Sequence, residues 1–170
     1  MWQDLTSMEP LAPSDTLDVA SASAAIRDLC GWHIAPVRTQ MFVVDEPLGR
    51  VDVFLPTLRL VEITGVTVEG VAFTADELAA LDWSSQGYLS RGPGWRWPTR
   101  RRSVEITVRH GYTAAPASVA AVVLGLAKRM ATTPAGLVRQ QVGQRSEEYV
   151  RGMHQSDLEA LAPYVIPVSA

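Results

Sequence analysis

Ser103-Val104-Glu105-Ile106-Thr107-Val108-Arg109 is the stretch on which the fold turns. Apolar and polar side chains alternate along it without a break. Successive side chains of a strand point to opposite faces, so Val104, Ile106 and Val108 line one side. A strand with one apolar and one polar face belongs in an antiparallel sheet that covers a core on one side and meets water on the other. Upstream, β-branched and aromatic content between Gly and Pro punctuation predicts further strands at 39–45, 51–55, Leu60–Val68, 71–73 and 87–91. Glu69-Gly70 has the composition of a tight hairpin turn. Thr74 and Glu77 have the spacing of a capping box, which predicts one helical turn over 74–81.

On either side of this block the apolar period becomes helical. Val19, Ala22, Ile26, Leu29 and Cys30 recur at helical spacing, with Ser14 or Asp15 as the cap and Gly31 as the stop. After Gly111, Pro116 opens a second helix through about residue 131. Val119, Val122, Val123, Leu126 and Met130 form its core face. The other side holds Ala120, Ala121, Leu124, Gly125 and Ala131, which is not a solvated surface either. A helix apolar all round must be covered all round, so Ala121 and Gly125 are candidate packing positions for another helix or a neighbouring subunit.

The expected fold is therefore α+β: helices at both ends of a mostly antiparallel β insertion, with extended N- and C-terminal arms. Residues 1–15 form the first arm. The core spans 16–133, made of a helix at 16–30, the β-rich insertion at 37–112 and a helix at 116–131. The second arm spans 134–170. It is polar through Glu148 and carries a short helix at 156–162. Leu158, Leu161, Tyr164, Val165 and Ile166 are too few for a core of their own, which makes them candidates for docking on a partner.

A chain of 170 residues that is 47% hydrophobic can bury a core. Its net charge of -3 argues against a general nucleic-acid binder. The charge is unevenly spread. Residues 1–26 carry Asp4, Glu9, Asp15 and Asp18 and no basic residue. Residues 91–109 carry six arginines against one acid, Glu105. Cys30 stands alone, so no intrachain disulfide forms, and its place on an apolar helix face assigns it to packing. No stretch is apolar enough to span a bilayer, and the N-terminus lacks the basic and apolar regions of a signal peptide. These features predict a soluble protein made in the cytoplasm.

Chemistry-bearing patterns are sparse. His33, His110 and His154 lie far apart and away from Cys or carboxylates at metal-ligand spacing, so no metal or other cofactor is expected. Neither a nucleophile elbow nor a phosphate-binding glycine loop occurs, and no catalytic residue is assigned. The richest local feature is Arg91-Gly92-Pro93-Gly94-Trp95-Arg96-Trp97-Pro98-Thr99-Arg100-Arg101-Arg102. Basic residues interleaved with aromatics suit phosphate contact and stacking. The favoured reading is a hairpin loop whose Trp residues cap a core or bury in a subunit interface, with solvated arginines around it. Arg96, Arg100, Arg101 and Arg102 are the candidates for a channel lining or an inter-subunit contact.

The order of features resembles the head-to-tail adaptors, also called connector or head completion proteins, of long-tailed phages of actinobacteria. The matching pieces begin with Ala20-Ser21-Ala22-Ser23-Ala24-Ala25-Ile26-Arg27 and Cys30-Gly31-Trp32-His33-Ile34. Leu55-Pro56-Thr57 and Val61-Glu62-Ile63-Thr64-Gly65-Val66-Thr67-Val68-Glu69-Gly70 follow. Next come Trp83, Gly87-Tyr88-Leu89-Ser90-Arg91, Trp97-Pro98, and the strand from Val104 to Val108 running into His110-Gly111-Tyr112. Pro116 and the Ala-rich helix, Val142-Gly143, Ser146, Tyr149, Leu158, Leu161 and Tyr164 complete the pattern. The resemblance covers roughly residues 18 to 165 and departs at the N-terminus, where such proteins carry more helical sequence. It implies a structural virion protein, not an enzyme, in a ring usually of twelve copies at the phage neck. Its partners would be the portal protein, a downstream neck or tail protein, and double-stranded DNA passing through without sequence readout. The competing readings are another neck component such as a stopper or tail terminator, a small enzyme of unknown class, and a DNA-binding regulator.

Overall fold

The computed structural model describes residues 18–45, 49–92, 94–132 and 153–167. In chain order its elements are α1 (Val19–Cys30), β1 (Arg38–Val44), β2 (Asp52–Phe54), β3 (Leu60–Val68), β4 (Val71–Ala72), α2 (Ala75–Ala79), β5 (Asp82–Trp83), β6 (Tyr88–Ser90), β7 (Val104–His110), α3 (Ala117–Thr132), α4 (Gln155–Leu161) and a 3-10 turn (Ala162–Tyr164). The chain is α+β with antiparallel sheets. It divides into two compact units, one inserted in the other: Ile34–Thr113 forms the β unit, and the chain on either side of it forms a helical unit.

In the β unit, one sheet has the order β1-β7-β3-β4 and the other β2-β6-β5. Every pairing is antiparallel. The central strand β7 alternates as the sequence predicts, with Val104, Ile106, Val108 and His110 all buried. Phe42 and Val44 of β1 and Val66 of β3 stand beside them in register. Val53 and Leu89 of the second sheet, together with Leu55, Leu81 and Trp97, complete the same apolar core. Each large aliphatic side chain taken out of water here contributes about 1.5–3 kcal/mol. Glu69 and Gly70 both have positive φ, 51° and 84°, between the paired residues Val68 and Val71. That is the two-residue hairpin whose twist matches its flanking strands. The two-residue strand β5 is absent from the sequence expectation. Two residues are too short to show a period, and only the pairing of Asp82 with Ser90 and Trp83 with Leu89 defines it.

In the helical unit, α1 packs on α3 and α3 on α4. The first helix starts later than expected. Asp18, rather than Ser14 or Asp15, is its cap, accepting a hydrogen bond from Ser21 N at 3.0 Å. The Ser21 hydroxyl, together with that backbone N–H, holds the Asp18 carboxyl below its ordinary pKa. Ser14, Asp15 and the proposed arm at 1–15 lie outside the described residues, as do residues 134–152 of the second arm. Gly31 ends α1 in the left-handed conformation, and its N–H donates to Arg27 O. The buried stripe of α1 contains two polar residues, Ser23 and Arg27, while Leu29 is only partly buried. Ser23 Oγ satisfies itself on Val19 O at 2.6 Å, and Arg27 Nε donates to His33 O at 2.9 Å. On α3, Val119, Val123, Leu126 and Ala127 are fully buried and Val122 nearly so. Met130, expected in the core, is 39% exposed, and Ala127 takes the inward position instead.

Candidate functional site at the arginine-bearing loops

The segment between β6 and β7 carries Arg91, Arg96, Arg100, Arg101 and Arg102 and no acid. Sequence reasoning places it in a hairpin. The structure corrects this: β6 pairs with β2 and β5, β7 pairs with β1 and β3, and the segment crosses from one sheet to the other. A crossing chain needs an anchor, and Trp97 supplies it. Its side chain is 1% exposed in the core. Its N–H donates to Arg50 O at 2.9 Å, and its carbonyl accepts from Gly49 N at 3.1 Å. The loop before β2 and the crossing loop are thereby held side by side.

The arginines emerge around that anchor. Arg96 Nη1 donates to Gly49 O at 2.8 Å, and Arg101 Nη1 to Asp45 O at 3.3 Å. Both contacts use backbone carbonyls and leave the positive charges unneutralised. Arg102 adopts a positive φ of 55°, and its N–H donates to Val44 O. Ser103 Oγ closes the turn on Arg100 O at 2.7 Å. Arg96, Arg100, Arg101 and Arg102 are all exposed, and among the described residues none of them forms an ion pair. The two tryptophans divide the roles that the sequence left open. Trp97 caps the core, while Trp95 is 56% exposed.

Trp95 is nonetheless held. The Arg91 guanidinium lies 4.5 Å from the centroid of the Trp95 ring and 4.5 Å from that of Phe73. The Thr74 N–H and hydroxyl hold the Glu77 carboxyl below its ordinary pKa, and the charge of Arg91 adds to this. The Thr74 and Glu77 capping box predicted from sequence is present, with both reciprocal hydrogen bonds.

The other sequence candidates lie in the helical unit. Leu161 is fully buried and so presents no docking surface, while Leu158, Tyr164, Val165 and Ile166 are partly buried. The segment is fixed to its own unit. Trp32 Nε1 donates to Tyr164 O at 2.7 Å, and Ile166 N donates to Cys30 O at 3.0 Å. Arg129 pairs with Asp157. The ties from Trp32 and Cys30 join residues more than a hundred positions apart, which is why no local pattern announces them. Ala121 is exposed. Gly125 lies beneath the Arg129 guanidinium, 3.2 Å from where a Cβ would stand, so the glycine makes room for the arginine that reaches α4.

His33 and His110 are buried, and His154 is exposed. His110 Nε2 lies 3.1 Å from Gln40 Oε1. Among the described residues no group of three or more His, Cys, Asp or Glu is arranged to hold a metal, and no helix is long and apolar enough to cross a membrane. The chain matches no protein-family model and no curated protein in sequence.

Proposed function

We propose that this chain is a structural virion protein of a tailed phage. It forms a ring that joins the capsid portal to the tail or next neck protein and extends the DNA channel. The observation that carries this reading is the frame itself: both flanks of the chain fold together as one helical unit, and the β unit with its arginine-bearing loop is inserted between them in sequence. That is the arrangement the resemblance implies. Residues of the resembling motifs also fall where the fold has least freedom. Gly31 caps α1, Gly87 sits under the Leu55 and Thr57 carbonyls, Trp97 anchors the crossing loop, and Gly111 and Tyr112 donate to Arg59 O and Ile34 O.

On this reading the protein acts by surface complementarity and catalyses nothing. Subunits meet head to tail and close by rotation. The partly buried residues Leu158, Tyr164, Val165 and Ile166 offer the portal an apolar ridge already fixed in shape, and the arginines face the polyanion in the channel. Symmetry-resolved imaging of the neck in assembled particles tests it. A ring of this chain in direct contact with the portal is the expected result. A particle without the chain, or a ring that touches only tail components, would overturn it.

A further inference from the structure

We infer that the Trp95 end of the crossing loop is a binding site for single-stranded nucleic acid, with Trp95 as the stacking face and Arg96 and Arg100 as phosphate contacts. The inference concerns one loop of one unit and does not rest on the ring assignment.

The first observation is the stack of Phe73, Arg91 and Trp95. A planar guanidinium can lie against an aromatic ring on each side, and Arg91 stands 4.5 Å from both ring centroids. The indole is thus supported from behind while 56% of the residue remains exposed. An exposed large aromatic that wandered freely would lose entropy on binding; one already stacked loses little. The second observation is the space around it. Gly92 and Gly94, on either side of Pro93, have φ of 89° and 84°, and a Cβ built on either would meet no atom within 4 Å. Apart from chain neighbours, the space beside both glycines is empty, and the indole next to them is 56% exposed. The turn is fixed by the Trp95 N–H donating to Gly92 O and by Gly92 N donating to Ser90 Oγ.

The third observation is charge. Residues 91–102 hold five arginines and no carboxylate; Glu77 offsets Arg91, but Arg96, Arg100, Arg101 and Arg102 form no ion pair among the described residues, so the surface beside Trp95 attracts a polyanion. Arg96 adjoins Trp95 in the chain and spends one N–H on Gly49 O. A guanidinium has five, so the others remain for phosphate oxygens. An aromatic face beside an arginine track is the combination that binds unpaired strands, because every base offers a π-face and every nucleotide a phosphate. The interior of a duplex offers no free base face, so Trp95 would be idle against it. Single strands, frayed ends and overhangs would use it. Stacking and phosphate contacts do not depend on base identity, so binding should tolerate sequence.

The test uses the full chain and a labelled short oligo(dT), compared with a blunt duplex of equal length, by fluorescence anisotropy. The single strand should bind more tightly than the duplex. Trp95→Ala should weaken oligo(dT) binding roughly 5- to 150-fold, while Trp95→Phe, which keeps a stacking face, should retain most of it. Arg100→Ala should flatten the fall in affinity between about 50 and about 200 mM salt. Trp95 is exposed, so an unchanged thermal midpoint will show that the variants are folded. Equal affinity for strand and duplex, an unaffected Trp95→Ala variant, or no binding of either oligonucleotide at low salt would each overturn the inference.

Discussion

At the scale of single residues, Gly87 is the described glycine with the least room for a side chain. A Cβ there would lie 2.5 Å from Leu55 O and 2.7 Å from Thr57 O, and its φ is +87°. Left-handed backbone costs an L-residue about 1–2 kcal/mol and overpacking about 1–3 kcal/mol. Gly87→Ala should therefore lower stability by about 2–5 kcal/mol in urea unfolding, with an unchanged denaturant slope. Cys30 makes a different prediction. Burial pushes its thiol from an ordinary 9.0 up to about 12. The folded state then holds the proton more tightly than the unfolded chain. Its contribution to stability is full below about pH 9 and is lost as pH rises towards about 12. Native protein at pH 8 should resist a thiol reagent and react only as fast as it opens. Rapid labelling without unfolding would show that Cys30 is not enclosed by α1 and its neighbours.

At the scale of elements, α4 behaves as part of the helical unit. Leu161 is fully buried, and Arg129–Asp157, Trp32–Tyr164 and Ile166–Cys30 tie the segment down. Leu161→Ala should cost about 2–5 kcal/mol, read from thermal or urea unfolding. A cost near zero would mean that α4 is only resting on the unit. Truncation at Ser156 removes all of these ties at once. The truncated protein should be destabilised, and its failure to join a particle would report folding and docking together. Substitutions at Tyr164 or Val165, which are partly buried, separate the two.

At the scale of the whole molecule, the charge asymmetry is the property with consequences beyond the chain. Arg100 and Arg101 are exposed, and Arg101 donates to the Asp45 backbone carbonyl at 3.3 Å. The double charge reversal Arg100→Glu with Arg101→Glu should leave the fold intact. In particles, rings should form while packaged DNA is held abnormally, as genome retention after purification would reveal. Failure of the rings, rescued by compensating reversals at Asp4, Glu9, Asp15 or Asp18, would instead assign the arginines to a contact between subunits. Normal rings together with normal retention would leave the loop merely solvated.

The sequence by itself determined the α+β class, the strand Leu60–Val68, the alternation of β7, the Glu69-Gly70 hairpin, the Thr74 capping box and the Gly31 stop. Each is written locally, in a period of two, a period near 3.6, or a residue needed for a positive φ. Tertiary structure alone decided the rest. It paired β6 with β2 and β5, making the arginine segment a crossing between sheets, because strand partners are chosen by which apolar faces close one core. It buried Trp97 and left Trp95 on Arg91, two residues apart and alike in every local signal. It also buried Arg27 and Thr57. A polar side chain is buried only where the fold brings a partner within reach, here His33 O for Arg27 and the Arg59 N–H for Thr57.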